Sequence, residues 1–252
     1  MNMMSSPATL SHLRAHLSSR GPVLRAPTAR LFDIPATGRG AVFPADAVHE
    51  VYAASTRHGS AAEGFGLGLA LQAAGTLVWI HEDRGRHEHG ALYGSGLREW
   101  GVETGDLLLV GVPDTAALLA AGEEALRSGA PAAVLMSSWG ESRAFTLTAS
   151  RRLALAAAAG RTTAVFVRTG AQPQPSASDT RWSVRAAPSR ALEAGAPGRP
   201  AFRVSLLRSR AGVTPGEWIM EWDREARSFV EPKTSGGLVS SPAYRPAGIR
   251  AA

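Results

Sequence analysis

Short apolar runs alternate along this chain with segments whose apolar residues recur every three or four positions. Leu10, Leu13 and Leu17 form an i, i+3, i+7 stripe, which predicts a small amphipathic helix near the start. Residues 21–39, rich in Pro, Gly and Arg, read as a linker or wrapping loop. "AVHEVYAAS" (47–55) predicts a first core strand, leading into a glycine-rich loop and a helix through Leu67, Leu69 and Leu71. "TLVWI" (76–80) reads as a strand, "HEDRGRHEHG" (81–90) as a polar loop and "ALYGSGLREWG" (91–101) as helical. "DLLLVGV" (106–112) reads as a buried strand, and Asp114 is placed to cap a helix over 115–128 that Gly129 ends. "AAVLMSS" (132–138) and "TTAVFVR" (162–168) complete the strands, separated by a helix over 147–159 closed by Gly160.

Strands alternating with helices of about 10–15 residues predict an α/β fold, a doubly wound and mostly parallel sheet. The pattern changes after residue 168. Residues 169–180 form a polar, Pro-rich stretch expected to be a flexible loop. Strand-like runs follow at 182–186, 202–208, 217–222 and 227–230. In "EWIMEW", Trp218, Met220 and Trp222 share one face and Ile219 takes the other, which predicts an antiparallel C-terminal extension of the sheet. The organisation expected is an N-terminal helix and linker (1–40), a core with C-terminal strands (41–230) and a disordered Gly/Pro/Ser-rich tail (231–252).

Composition narrows the function classes. At 252 residues and 44% hydrophobic content the chain can bury a sizeable core. No apolar run approaches the roughly 18 residues of a membrane span, and residues 1–20 lack a secretory apolar segment. Zero cysteines exclude disulfides and thiolate metal sites, so a cytoplasmic protein is expected, with no membrane partner. Net charge is +6, and 26 of the 27 basic residues are arginine, Lys233 being the exception. That balance leaves nucleic acid or an acidic partner open.

The stretch from Gly59 to Gly66 carries the chemistry question. Its glycines, Gly59 and Gly64, stand at the spacing of a phosphate-binding loop, but Phe65 holds the lysine position and Gly66 the hydroxyl position. The lysine would reach the β- and γ-phosphates and the hydroxyl would ligate Mg²⁺, so the frame remains without its chemistry. His81, Glu82, Asp83, His87, Glu88 and His89 concentrate in one segment, but their spacing matches no structural zinc pattern, and a solvated loop is expected. No metal, cofactor or catalytic residue is assigned, and no Ser/His/Asp arrangement suggests a hydrolase. Arg168, Arg181 and Arg185 flank the 169–180 loop and are candidates for single-stranded phosphate, as are Arg151 and Arg152 on the 147–159 helix. The loop has no aromatic to stack bases. Trp218, Trp222 and Phe229 are read either as hairpin core or as a partner-binding surface.

The order of these segments resembles the RecA-type ATPase core. "VHEVYAASTRHGSAAEGFG" is similar to the strand that enters its phosphate loop, and "LLLVGVPDTAALLAAGEEALRSGAPAAVLMSS" to the segment ending on its Walker B strand. Pro113-Asp114-Thr115 and 127–130 (Arg-Ser-Gly-Ala) fall in register. With "LTASRRLALAAAAGRTTAVFVR", "TRWSVRAAPS" and "PGEWIMEWDREARSFV", the chain more closely resembles the ImuA family of RecA-like accessory proteins in bacterial damage-induced mutagenesis, over 47–230. The resemblance implies a RecA-like fold and a non-catalytic role in SOS-induced, error-prone translesion synthesis. Its implied partners are an ImuB-like Y-family protein, an error-prone replicative-type DNA polymerase and RecA. The Walker B position falls on Ser137, where an aspartate would organise Mg²⁺, and Glu82 or Asp83 lies near the water-activating glutamate. Phosphoryl transfer is mostly positioning and charge neutralisation, so losing lysine, hydroxyl and aspartate together predicts no hydrolysis. The alternatives are a modulator of recombination that binds single-stranded DNA or RecA, an ATPase with an unorthodox site, and an SOS inhibitor of cell division.

Overall fold

The computed structural model describes residues 6–20, 43–90, 92–190, 192 and 196–232. Among them the apolar runs become strands β1 (Val48–Ala53), β2 (Leu77–Glu82), β3 (Leu107–Val112), β4 (Ala133–Trp139) and β5 (Thr163–Thr169). The period-two segments become β6 (Thr180–Ala186), β7 (Ala201–Ser209), β8 (Gly216–Asp223) and β9 (Ser228–Val230). The helices are α1 (Ser6–Arg20), α2 (Gly59–Leu71), α3 (Asp83–His89), α4 (Gly94–Glu99), α5 (Thr115–Ser128) and α6 (Leu147–Gly160). All strands join one sheet in the order β3-β2-β4-β5-β1-β6-β7-β8-β9. Strands β1 to β6 run parallel, and β7, β8 and β9 continue antiparallel. This is the RecA-like, doubly wound sheet with an antiparallel C-terminal extension that the segment order predicts.

Alternation along the strands feeds two cores. In β5, Val165 and Val167 face α2, while Ala164 and Phe166 face the side of α5 and α6. Leu13 and Leu17 of α1 are buried in that second core, and Arg14 pairs with Glu124 of α5 at 2.9 Å, so the N-terminal helix packs onto the main sheet body. The linker (21–39) and the tail beyond 232 lie outside the described residues.

Asp114 caps α5 by accepting from the Ala117 amide at 2.8 Å, and Gly129 ends it at φ 64°. Thr146 caps α6 through the Ala149 amide at 3.1 Å. Contrary to the expectation, Gly160 does not close α6; Arg161 does, in the left-handed region at φ 51°. Gly160 has a packing reason instead, since a Cβ there would stand 1.8 Å from the Leu126 carbonyl oxygen.

Three sequence expectations change. The 81–90 loop is the end of β2 followed by α3, with Asp83 in the first turn, where a carboxylate complements the helix dipole. Strand β3 is an edge strand, not a buried one, and Leu109 is 45% exposed. The 169–180 segment is an ordered strap rather than a flexible loop. The Gln172 amide donates to Glu141 at 2.6 Å, the Gln174 side chain to the Phe145 carbonyl at 3.1 Å and the Ala177 amide to Ser150 at 3.0 Å.

Candidate functional site: the crevice at the ends of β2, β4 and β5

In a doubly wound sheet, ligands gather at the carboxyl ends of the parallel strands. The chain leaves β1 there through a single 3₁₀ turn at Thr56–His58 and enters α2 directly. Gly59–Gly66 is therefore helix, not a loop around phosphate. Phe65, at the nominal lysine position, is fully buried, with its ring 4.8 Å from Phe229, 5.7 Å from Trp182 and 6.0 Å from Phe202. Gly66 and Gly68 let α2 lie close against its neighbours. A Cβ at 66 would meet Val167 at 2.6 Å, and one at 68 would meet Phe229 at 2.5 Å. The glycines serve packing, and the aromatic cluster fills the direction in which a lysine would point. Those residues do not fit a magnesium-bound nucleotide.

Beside this junction lies a small crevice of about 70 Å³, lined by Glu63 of α2, Trp79 and Glu82 of β2, Ser137 of β4 and Thr169 of β5, among others. Ser137 donates to Glu63 Oε2 at 2.7 Å and accepts from the Trp79 indole at 2.9 Å, so its hydroxyl is engaged within the protein. Burial pushes the Glu63 carboxyl up to about 7, against the opposing hydrogen bond from Ser137. Glu82 is buried and its Oε2 accepts from the Trp139 amide at 3.2 Å. The crevice is far below the roughly 300 Å³ at which drug-sized ligand pockets begin. No group of three or more His, Cys, Asp or Glu among the described residues could hold a metal ion.

The arginine candidates separate. Arg168 is 1% exposed; it donates to the Tyr52 hydroxyl at 2.9 Å and lies 4.3 Å above the Phe145 ring. Arg181 pairs at 3.0 Å with the fully buried Glu50 and donates to Ser176 at 2.7 Å. Both are internal structural groups. Arg151 and Arg185 are exposed, and Arg152, also exposed, pairs with Glu123 at 2.5 Å. Among the aromatics, Trp222 and Phe229 are core, and Trp218 is half-buried against it. The residues that reasoning along the chain missed are Glu63 and Thr169. A lone carboxylate inside the apolar run 61–71 was the available signal for Glu63; Thr169 left none.

Away from the crevice, near the amino end of β1, His49 is buried and its basicity is pushed down to about 4 by that burial, opposed by the hydrogen bond to Pro44. The Pro44 carbonyl can only accept, at 3.1 Å, so Nε2 carries the proton and Nδ1 accepts from the Thr180 hydroxyl at 2.8 Å. Thr180 in turn accepts from the Trp182 indole at 2.8 Å, which completes a neutral chain.

The chain matches no protein-family model and no curated protein sequence. Among solved structures it is similar to the crystal structure of SulA from Pseudomonas aeruginosa, at 25% identity and a TM-score of 0.39. That match covers 50% of this chain and 100% of the other. At such a TM-score the likeness decides nothing about this chain. No helix among the described residues is long and apolar enough to cross a membrane.

Proposed function

We propose that the protein is a catalytically silent, cytoplasmic RecA-like adaptor in SOS-induced translesion synthesis, of ImuA type, that binds an ImuB-like Y-family partner. One observation carries the silent part of this reading: the helix that would open on a phosphate loop instead sinks Phe65 into the core at the nominal lysine position. Supporting it, the nominal metal position, Ser137, is engaged by Glu63 and Trp79. The adaptor part rests on the ImuA resemblance and on the C-terminal strands. Their outward face carries Arg185, Arg203, Leu207 and Ile219, and the last two are 42% and 38% exposed. That face is the docking surface, in place of Trp222 and Phe229, and Trp218 packs on the opposite face against the core.

The test is co-purification of the full chain with the ImuB-type protein. A fragment beginning at 182 is unsuitable, because it cuts through β6, which pairs with β1 inside the sheet. Retention on the partner, lost in Leu207→Asp/Ile219→Asp, is expected; no retention of the unmodified chain rejects the adaptor. The second reading, a single-stranded-DNA- or RecA-binding modulator, now depends on the exposed Arg151, Arg152 and Arg185. Salt-insensitive or absent binding in fluorescence anisotropy rejects its DNA arm.

A further inference from the structure

The crevice holds more hydrogen-bonding capacity than the chain uses. Glu82 is 3% exposed, and its Oε1 has no partner while Oε2 is occupied by the Trp139 amide. Thr169, 1% exposed at the end of β5, also has an unpartnered Oγ1 and lines the same crevice. Glu63 enters from α2 with one oxygen held by Ser137 at 2.7 Å. Orphaned buried acceptors cost about 1–3 kcal/mol each, so a donor brought from outside gains what the fold has left unsatisfied.

Two carboxyl groups and a hydroxyl call for a donor that carries positive charge. A metal ion is a poor match, since no cluster of three ligating side chains exists among the described residues. The walls are largely apolar, with Trp79, Trp139 and Leu92, and the space of about 70 Å³ admits a head group rather than a whole cofactor. A guanidinium suits such a place better than an ammonium: it is planar, weakly hydrated, rich in donors and attracted to indole faces. We propose that this crevice is a binding site for a guanidinium group, either the side chain of an arginine in a partner protein or a small free guanidine. The proposal holds whether or not the partner is ImuB-like.

The titratable groups lining the crevice among the described residues are Glu63 from α2 and His81 and Glu82 from β2; β4 and β5 contribute the uncharged Ser137, Ser138 and Thr169. Because Glu63 holds its proton up to about pH 7, cation binding that needs its carboxylate expels that proton. Affinity then rises about tenfold per pH unit on the acid side of neutrality.

The experiment follows the Trp79 indole N–H, which donates to Ser137, by NMR of the full chain at constant ionic strength. Methylguanidinium and N-acetyl-arginine methylamide are titrated separately at pH 6 and pH 7, with methylammonium as comparison. A saturable shift with both guanidines, tighter at the higher pH and weaker with methylammonium, is expected. Tighter binding of the arginine derivative assigns the site to a protein side chain, and tighter methylguanidinium to a free guanidine. Glu82→Gln weakens binding by about tenfold or more, the scale of a lost charge-assisted hydrogen bond. Glu63→Gln holds binding at pH 7 down to the weaker level of the protonated carboxyl and flattens its pH dependence. Thr169→Val serves where Glu82→Gln fails to fold. Non-saturable shifts, methylammonium binding as tightly, or undiminished binding in both Glu82→Gln and Thr169→Val would overturn the proposal.

Discussion

Replacing Phe65 by lysine restores the residue that a phosphate loop requires, and the two readings of position 65 then diverge completely. If 65 faced a phosphate site, lysine would be tolerated and Mg-ATP binding would return. In the structure Phe65 has no exposed surface and touches Phe229, Trp182 and Phe202. Truncating a buried Phe to alanine costs about 3–5 kcal/mol. Phe65→Ala is therefore expected to remain folded while melting about 10 °C lower, at roughly 2–4 °C per kcal/mol for a chain of this size. Phe65→Lys loses the same packing and also brings an ammonium into a cluster with no carboxylate, adding several kcal/mol. Against a typical total stability of about 5–15 kcal/mol, most of the folded population disappears. Urea titration followed by tryptophan fluorescence and far-ultraviolet circular dichroism reads the stability, and calorimetry with Mg-ATP reads the site. A Phe65→Lys protein with the unmodified urea midpoint, or one that gains Mg-ATP binding, would refute the reasoning.

Three further outcomes follow from the same geometry. Gly68→Ala raises helix propensity by about 1 kcal/mol yet is expected to destabilise by about 1–3 kcal/mol, because its Cβ meets Phe229 at 2.5 Å and Trp222 at 3.0 Å; a raised urea midpoint would contradict this. Arg181→Ala strands the buried Glu50 and should cost about 3–5 kcal/mol, whereas Arg185→Ala leaves the melting temperature unchanged; equal melting of the two variants would contradict the burial argument. The third concerns pH. His49 titrates near 4 when folded against an ordinary 6.5, so its contribution to stability is lost as pH falls through that window. Glu63 titrates near 7 against 4.5, so its contribution is lost as pH rises through that window. The two slopes oppose each other between about pH 4.5 and 6.5. Glu63→Gln should unmask stability that rises with pH by up to about 1.4 kcal/mol per unit; an unchanged profile in urea midpoints measured across that range would show that Glu63 is not shifted.

How much of the molecule was legible depended on whether the signal was local. The strands, the helices over 115–128 and 147–159, the Asp114 and Gly129 caps of the first and the exposed Ile219 opposite Met220 and Trp222 follow from periodicity and cap chemistry, which act over a few neighbouring residues. Leu107–Val112 shows the limit: an apolar run announces a strand, but central and edge strands share that composition, and strand order alone put β3 at the margin. Spacing made the glycines of 59–66 look like a loop. The real reason for Gly64 and Gly66 lies in distant side chains, Trp100 and Phe202 against the first and Val167 against the second.

Arginine made the same point from the other direction. In a basic chain each arginine is an equally good phosphate ligand, yet Glu50 and Tyr52 on β1 draw Arg181 and Arg168 inward while Arg185 stays in water. Elements, their order and the loss of lysine, hydroxyl and aspartate were thus written in the chain, since each depends on residue type and near neighbours. The crevice of Glu63, Glu82 and Thr169 was not. It exists because a helix and two strands from distant parts of the chain converge there, and because burial changes how readily a carboxyl gives up its proton, a property that no residue carries alone.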